Sequence, residues 1–330
     1  MEQNQLLPNQ IKRRTRKQHY VPQFYLRQWC DEDNGFYPIK IEGKEPPILK
    51  IFEAKSNPSR FCYENFFYAQ HTGKEDEISQ KVEEKFAEIE GVFSTELPKI
   101  EKKILDNEQI TEGDKFNLSS CMLFLHFKGK KYREESKKMT DHLIKQINKH
   151  IARNMGRSDK SKKEMEELGI TKEQMIEYAD KEEYTVDMGN THHMEIMKEI
   201  QGFSNLLTAK YWKIYISRKG DFITTDTPYQ DIALSKKFYG NDFLSREQTF
   251  ILSPRVVIVA RYPHKESGKK VNRKDITNNK GAIHTINTYN LMRSLNFGFH
   301  KNRDLLIELK KTTEFLYTYD KLNPKANSTN

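Results

Sequence analysis

No hydrophobic run in this chain approaches the roughly 18 apolar residues that a membrane span requires, and the start Met1-Glu2-Gln3-Asn4-Gln5 leads into no apolar export segment. Cysteine is scarce. Cys30, Cys62 and Cys121 are widely spaced and form no Cys-x-x-Cys pair, which argues against a disulfide framework and against a Cys-rich zinc site. The expectation is therefore a cytoplasmic protein that makes no use of a membrane. The sequence also lacks a phosphate-cradling Gly-rich loop, a His-Glu-x-x-His pair and a Gly-x-Ser-x-Gly elbow around Ser253, which sets aside the commonest nucleotide-binding, metalloprotease and serine-hydrolase chemistries.

What is present is charge and aromatic surface. Over 330 residues, 31% are charged and 36% apolar, with Phe 19 and Tyr 16 supplying core material. That length suits one large domain or two closely packed ones. Lys and Arg outnumber Asp and Glu, giving a formal net charge of +9, so a polyanion such as nucleic acid is a reasonable partner. Lys12, Arg13, Arg14, Arg16 and Lys17 concentrate that charge at the end of a polar tail, 1–16, expected to stay solvated.

The patterning predicts an α+β fold over 17–312, with 313–330 as an extension. Pro22 opens a short helix over 22–29. Strands over 35–41 and 48–52 form a hairpin around a Gly- and Pro-containing turn. Ile78, Val82, Phe86, Ile89, Phe93, Leu97, Ile100 and Ile104 recur at helical spacing and define one face of a long amphipathic helix, which Pro98 should kink or divide. Thr111-Glu112-Gly113-Asp114 starts a partner helix running to Phe127, closing a helical hairpin. Solvated helices fill 134–183, with a break near Gly156, and another helix is expected over about 191–207. From Tyr211 the period falls to two, predicting a mixed or antiparallel sheet built from 211–216, 222–225, 249–252 and 255–260. Flanking helices follow at about 276–294 and 304–309. The helical middle spans about 75–207 and the sheet-rich part about 210–300.

The densest chemistry lies in Lys17-Gln18-His19-Tyr20-Val21-Pro22-Gln23-Phe24-Tyr25-Leu26-Arg27-Gln28-Trp29. A chain end is normally polar and loosely held, so one this aromatic must dock against the body of the protein. His19 can serve as general base, general acid or metal ligand, or can simply cap backbone groups. In Phe222-Ile223-Thr224-Thr225-Asp226-Thr227-Pro228 a strand runs into an acid, which can bind a metal, orient a histidine or accept a substrate hydroxyl, or can close an Asx turn. Ser253-Pro254 reads as a structural turn. His192 and Glu195 share a helix face, but two ligands do not make a metal site. Asp33 followed by Glu42-Gly43-Lys44 loosely fits the acidic-residue-then-Glu-x-Lys spacing of metal-dependent nucleases, although the latter falls in a turn rather than on a strand.

The run His19 to Arg27 resembles the opening motif of the domain of unknown function 4238 family. Phe61-Cys62-Tyr63-Glu64-Asn65-Phe66-Phe67-Tyr68, the acidic helix Glu77 to Glu90, Phe222 to Pro228, Leu252-Ser253-Pro254 and Ile286-Asn287 are similar to its later elements, in the same order. Thr225 stands where serine is usual. The run Leu125 to Arg133 has lost the arginine and proline of the family pattern, so an anion held there would meet Lys128, Lys130, Lys131 and Arg133 as point charges. The family name carries no established activity.

Three readings follow. The preferred one is a hydrolase acting on the phosphodiester bonds of nucleic acid, with His19 and Asp226 converging in one basic pocket. Glu83, Glu84 or Glu64 would complete the chemistry there, with or without a divalent metal ion, Glu83 being the choice. Tyr20, Arg27, Thr224, Thr225, Lys128, Lys131 and Arg133 would hold the substrate. The second is a non-catalytic nucleic-acid or protein binding module, in bacterial defence or a mobile element, in which His19 and Asp226 are fixtures of the fold. The third is a helical scaffold assembled through the Ile78–Ile104 stripe. The oligomeric state is not legible.

Overall fold

The computed structural model describes residues 15–43, 47–71, 78–186, 197–233, 246–261 and 271–322. The N-terminal third contains β1 (Lys17–His19), α1 (Gln23–Leu26), β2 (Tyr37–Glu42), β3 (Ile48–Ile51), β4 (Tyr63–Asn65), β5 (Gln70–His71) and β6 (Ile78–Ser79). Helices follow: α2 (Lys81–Leu105), α3 (Glu112–Lys128), α4 (Lys130–Asn154), α5 (Asp159–Leu168), α6 (Lys172–Lys181) and α7 (Ile200–Ala209). The remainder is β7 (Tyr211–Ile216), β8 (Thr224–Thr225), β9 (Tyr229–Ala233), β10 (Arg246–Ser253), β11 (Val256–Arg261), β12 (Val271–Asp275), α8 (Lys280–Met292), β13 (Phe297–His300) and α9 (Arg303–Leu322). The fold is α+β, as expected.

Two sheets organise the molecule. The larger has the order β12-β7-β11-β10-β9 and is mixed, because β12 runs parallel to β7 while the other pairs are antiparallel. One of its faces presents Trp212, Ile214, Ile216, Phe250, Leu252, Ile258 and Ala260 to a core shared with Phe93, Leu97, Leu118, Met122, Phe124 and Leu207 of α2, α3 and α7. The smaller sheet, β3-β2-β13-β8, was not anticipated: the N-terminal hairpin is completed by a C-terminal strand. Gly298 sits mid-strand in β13, where an added Cβ would lie 2.8 Å from Leu291 and 3.0 Å from Ile39, so the close packing of α8 on this sheet requires the missing side chain.

Helix α2 follows from its stripe, with Val82, Phe86, Phe93, Leu97, Ile100 and Ile104 all buried. Pro98 lies inside it without dividing it. Of the kink or division expected there, the division does not occur, because the apolar residues on both sides of the proline pack into one continuous core. Ile78 falls outside the helix, on β6. The Thr111 start is a capping box: its hydroxyl accepts from Asp114 N–H while the Asp114 carboxylate accepts from Thr111 N–H. The expected strand 222–225 shortens to Thr224–Thr225, and α9 runs on to Leu322 with Thr313 buried, across the boundary expected at 312. Of the helix placed at 191–207, the described portion runs over 200–209; residues 191–196, with His192 and Glu195, lie outside the described residues, as do Lys44 and the tail 1–14. Glu42 is taken up by Lys40 on its own strand and by Lys50 across the β2–β3 hairpin.

The aromatic N-terminal segment is locked onto the stretch 221–226. Trp29, with no exposed surface, donates its indole N–H to the Phe222 carbonyl at 2.7 Å. Tyr25 donates its single hydroxyl proton to the Ile251 carbonyl and so accepts from Thr224 Oγ1 at 2.9 Å. Asn287 on α8 clamps the same stretch from the other side, accepting from Ile223 N–H at 3.1 Å and donating to the Asp221 carbonyl at 2.7 Å. Tyr25→Phe deletes one atom and strands a buried carbonyl and a buried hydroxyl, so we expect it to lower unfolding free energy by about 2 kcal/mol. A urea midpoint unchanged from wild type would contradict that accounting.

Candidate functional site

Strand period builds the first wall of a cleft. In the β1–β4 ribbon, Gln18 points inward, where its side-chain carbonyl accepts from Tyr68 N–H at 2.6 Å. Its neighbours Lys17 and His19 therefore share the opposite face, and both line a cleft of about 520 Å³. Helical period builds the second wall. Glu83, Glu90 and Ser94 lie at i, i+7 and i+11 of α2, on one side of the helix, and all three line the same cleft. Lys128, the last residue of α3, closes the floor. Its ammonium donates to Glu90 Oε1 and sits 5.5, 5.2 and 5.6 Å from the ring centres of Tyr68, Phe86 and Phe124. This cage of cation–π contacts lets a charged group occupy a position only 2% exposed.

Two groups in the cleft have shifted proton affinities. Burial holds the His19 imidazole down to about pKa 4, helped by the Lys128 and Lys17 charges and opposed by a backbone hydrogen bond to Ser59. The ring is neutral at ordinary pH. Its Nε2 faces the Gln23 amide nitrogen at 3.5 Å, a group that only donates, so this nitrogen carries the lone pair. Gln23 is itself steadied by the Arg27 guanidinium on its amide oxygen at 3.2 Å. Glu83 moves the other way. Desolvation raises its carboxyl above the usual range, opposed by Lys128 and reinforced by Glu90. Its Oε2 is buried with no hydrogen-bond partner among the described residues. Buried polar oxygens are normally paired, and this one faces a cleft.

Asp226 is elsewhere. The expectation joined His19 and Asp226 in one pocket, but Asp226 is not among the described residues lining the cleft that holds His19. Its carboxylate is 1% exposed and accepts three backbone N–H bonds, from Leu295 at 2.9 Å, Asn296 at 2.7 Å and Phe297 at 3.2 Å. Burial pushes its pKa up to about 6 in spite of those donors. It closes the junction between β8 and β13.

The other expected contacts separate in the same way. Tyr20 is buried against Phe67, its phenol directed at Cys62. Thr224 serves Tyr25, and Thr225 accepts from Thr227 N–H at 3.1 Å. Lys131 donates to the Arg293 carbonyl at 3.3 Å, while Arg133 donates to the Phe67 carbonyl and stacks on that ring at 4.2 Å. These residues therefore do not gather at the cleft, because each is engaged by a partner elsewhere in the fold. Arg27 reaches the cleft only through Gln23, and Glu64 pairs with Lys130 at 2.5 Å. Of the named candidates, His19, Glu83 and Lys128 come together. Glu90, Gln23, Ser59 and Ser94 were not anticipated, although the seven-residue step from Glu83 to Glu90 was visible in the sequence. Among the described residues, no group of three or more His, Cys, Asp or Glu is placed to hold a metal ion.

Ser253, expected as structural, donates to Glu101 Oε1 at 2.6 Å, where Arg255 also binds at 3.0 Å. No described helix is long and apolar enough to cross a membrane. Residues 17–304 match the family described as Protein of unknown function (DUF4238). No curated protein and no solved structure matches the chain.

Proposed function

Since the chain belongs to the DUF4238 family, whose function is unknown, membership supplies no reaction, and we propose from the cleft itself that the protein hydrolyses phosphodiester bonds in nucleic acid. The observation that carries this reading is the unpaired, buried Glu83 oxygen in the same cleft as a neutral His19. The setting suits a polyanion. Thr15, at the cleft rim, is pinned to Gln80 by paired bonds of 2.9 and 3.0 Å, so the basic residues Lys12, Arg13 and Arg14 attach to the chain within a few positions of the rim. Phosphate contacts from such groups supply sequence-independent affinity.

In this mechanism His19 Nε2 takes a proton from water as the water oxygen forms its bond to phosphorus. The bond from phosphorus to the leaving oxygen breaks, and that oxygen takes the Glu83 proton. Lys17 and Lys128 face the charge that develops on the phosphoryl oxygens. Transfer of the proton from His19 back to Glu83 through solvent restores the site.

The pH dependence has a defined sign. Activity should rise with pH through about 4, as His19 loses its proton, and fall again where Glu83 ionises, above the ordinary carboxylate range. That gives an acid-side optimum. Glu83→Gln should lower kcat by roughly 10²-fold and abolish the falling limb. A fluorescent oligonucleotide assay across pH 3–9, with single- and double-stranded DNA and RNA, tests both. A rate that increases monotonically to pH 9 in the wild type rules out Glu83 as the acid.

A second reading, a binding module without turnover, is supported by one observation. Tyr20, Thr224, Thr225, Asp226, Lys131 and Arg133 are all engaged by the protein itself. Salt-sensitive binding with no product over long incubation would favour it.

A further inference from the structure

The face of the large sheet turned away from the core carries a second concavity. Strand alternation puts Lys213 and Tyr215 of β7, Val257, Val259 and Arg261 of β11, and Glu247 and Thr249 of β10 on this face. Register aligns them in rows: Tyr215 opposite Val257, then Lys213 opposite Val259 opposite Thr249. Helix α8 roofs one side with Tyr289, Asn290 and the following Arg293. Together they enclose about 540 Å³, a volume in the range typical of small-molecule sites.

Three features distinguish this groove from an ordinary solvated surface. Lys213, Arg261 and Arg293 all line it, and none has a carboxylate within ion-pair distance among the described residues. Among the described residues lining the groove, Glu247 is the one acid, and it lies in the field of all three cations. The described lining thus carries two positive charges in excess, which matches a phosphate monoester near neutral pH. Aromatic surface accompanies the charge. Tyr289 is 55% exposed, with the Arg293 guanidinium 5.0 Å above its ring, and Lys213 lies 5.1 Å from the Tyr215 ring. Finally, the Asn290 side chain is 4% exposed, lines the groove, and has an Nδ2 donor with no partner among the described residues. A buried amide donor left unpaired is uncommon in a finished interior.

We infer that this groove binds a small phosphorylated ligand with a planar ring, of the mononucleotide class. The arginines and Lys213 take the phosphate, the tyrosines flank the ring, Val257 and Val259 form the apolar floor, and Asn290 Nδ2 donates to a ligand acceptor. Nothing in this reading depends on the His19 cleft, since no residue lines both concavities.

The test is isothermal titration of the full chain with AMP, and separately with adenosine and with inorganic phosphate. AMP should bind, and more tightly than either fragment. Arg261→Gln and Arg293→Gln should each weaken AMP at least tenfold while keeping the wild-type melting temperature without ligand. Asn290→Asp, nearly isosteric, replaces a donor by an acceptor beside the phosphate site and should also weaken AMP tenfold. If either arginine variant fails to fold, Lys213→Gln, at a half-buried position with no hydrogen-bond partner among the described residues, carries the same expectation. Equal affinity for phosphate and AMP would overturn the ring assignment. Absence of AMP binding, or loss of it in His19→Gln rather than in the groove variants, would overturn the site.

Discussion

Asp226→Ala should lower the stability of the fold by about 4 kcal/mol without removing any group from the His19 cleft. The carboxylate accepts from Leu295, Asn296 and Phe297 N–H, and alanine leaves all three donors without that partner. Unmade bonds to a charged acceptor cost about 1–3 kcal/mol each when sealed from water, and here some solvent access lowers the sum. Against a typical total of about 5–15 kcal/mol, that is a large fraction. Asp226→Asn should be intermediate, near 2 kcal/mol, because its amide nitrogen must face one of the donors. Urea unfolding measures both. Should Asp226→Ala unfold at the wild-type midpoint yet lose all activity, the acid is catalytic and the account given for it is wrong.

The contrast between His19 and Asp226 shows how far the residues themselves could lead. Local order was legible because it is set by neighbours in sequence. The stripe from Val82 to Ile104 and the capping box at Thr111 name their helix from within a few turns. Pro98 does not divide the helix, because a proline's effect depends on what the flanking turns bury, and here both flanks share one core. The smaller sheet was illegible for a related reason. Its central strand β13 pairs with β2 and β8, which lie far away in the chain, and nothing in Phe297-Gly298-Phe299-His300 specifies those partners.

The candidate motifs do not all meet in one place. Tyr25, Trp29, Asn287 and Asp226 all meet around residues 221–226, so much of the pattern that identifies the family secures one strand junction. An acid at a strand end reads the same whether it faces solvent or three amide protons; only the position of the 295–297 backbone decides it. His19 escapes this network because strand alternation turns it outward, away from Gln18 and Tyr20 on either side. Glu83 and Glu90 reach the same cleft because seven residues make nearly two helical turns.

His19→Gln should therefore behave opposite to Asp226→Ala, losing activity while keeping the fold. The substitution leaves an amide that can still donate to the Ser59 backbone but cannot accept a proton, so kcat on an oligonucleotide should fall by roughly 10²–10⁴-fold. Stability near pH 7 should change by no more than about 1 kcal/mol, since the ring is half-buried and its stacking on Tyr63, at 5.5 Å between centres, is tilted. The sign of the pH effect is a further check. Because folding holds the His19 pKa down from 6.5 to about 4, the unfolded chain binds the proton more readily, and wild-type stability is lost as pH falls through that window. The full shift would amount to about 3 kcal/mol, reduced by solvent screening to about 1–2 kcal/mol. The glutamine variant has no such proton to take up, so near pH 4 it should be more stable than wild type by that amount and still inactive. Retained activity in His19→Gln, measured at the wild-type optimum, would end the acid–base mechanism. A variant that fails to fold at pH 7 would make His19 a fixture of the N-terminal segment instead.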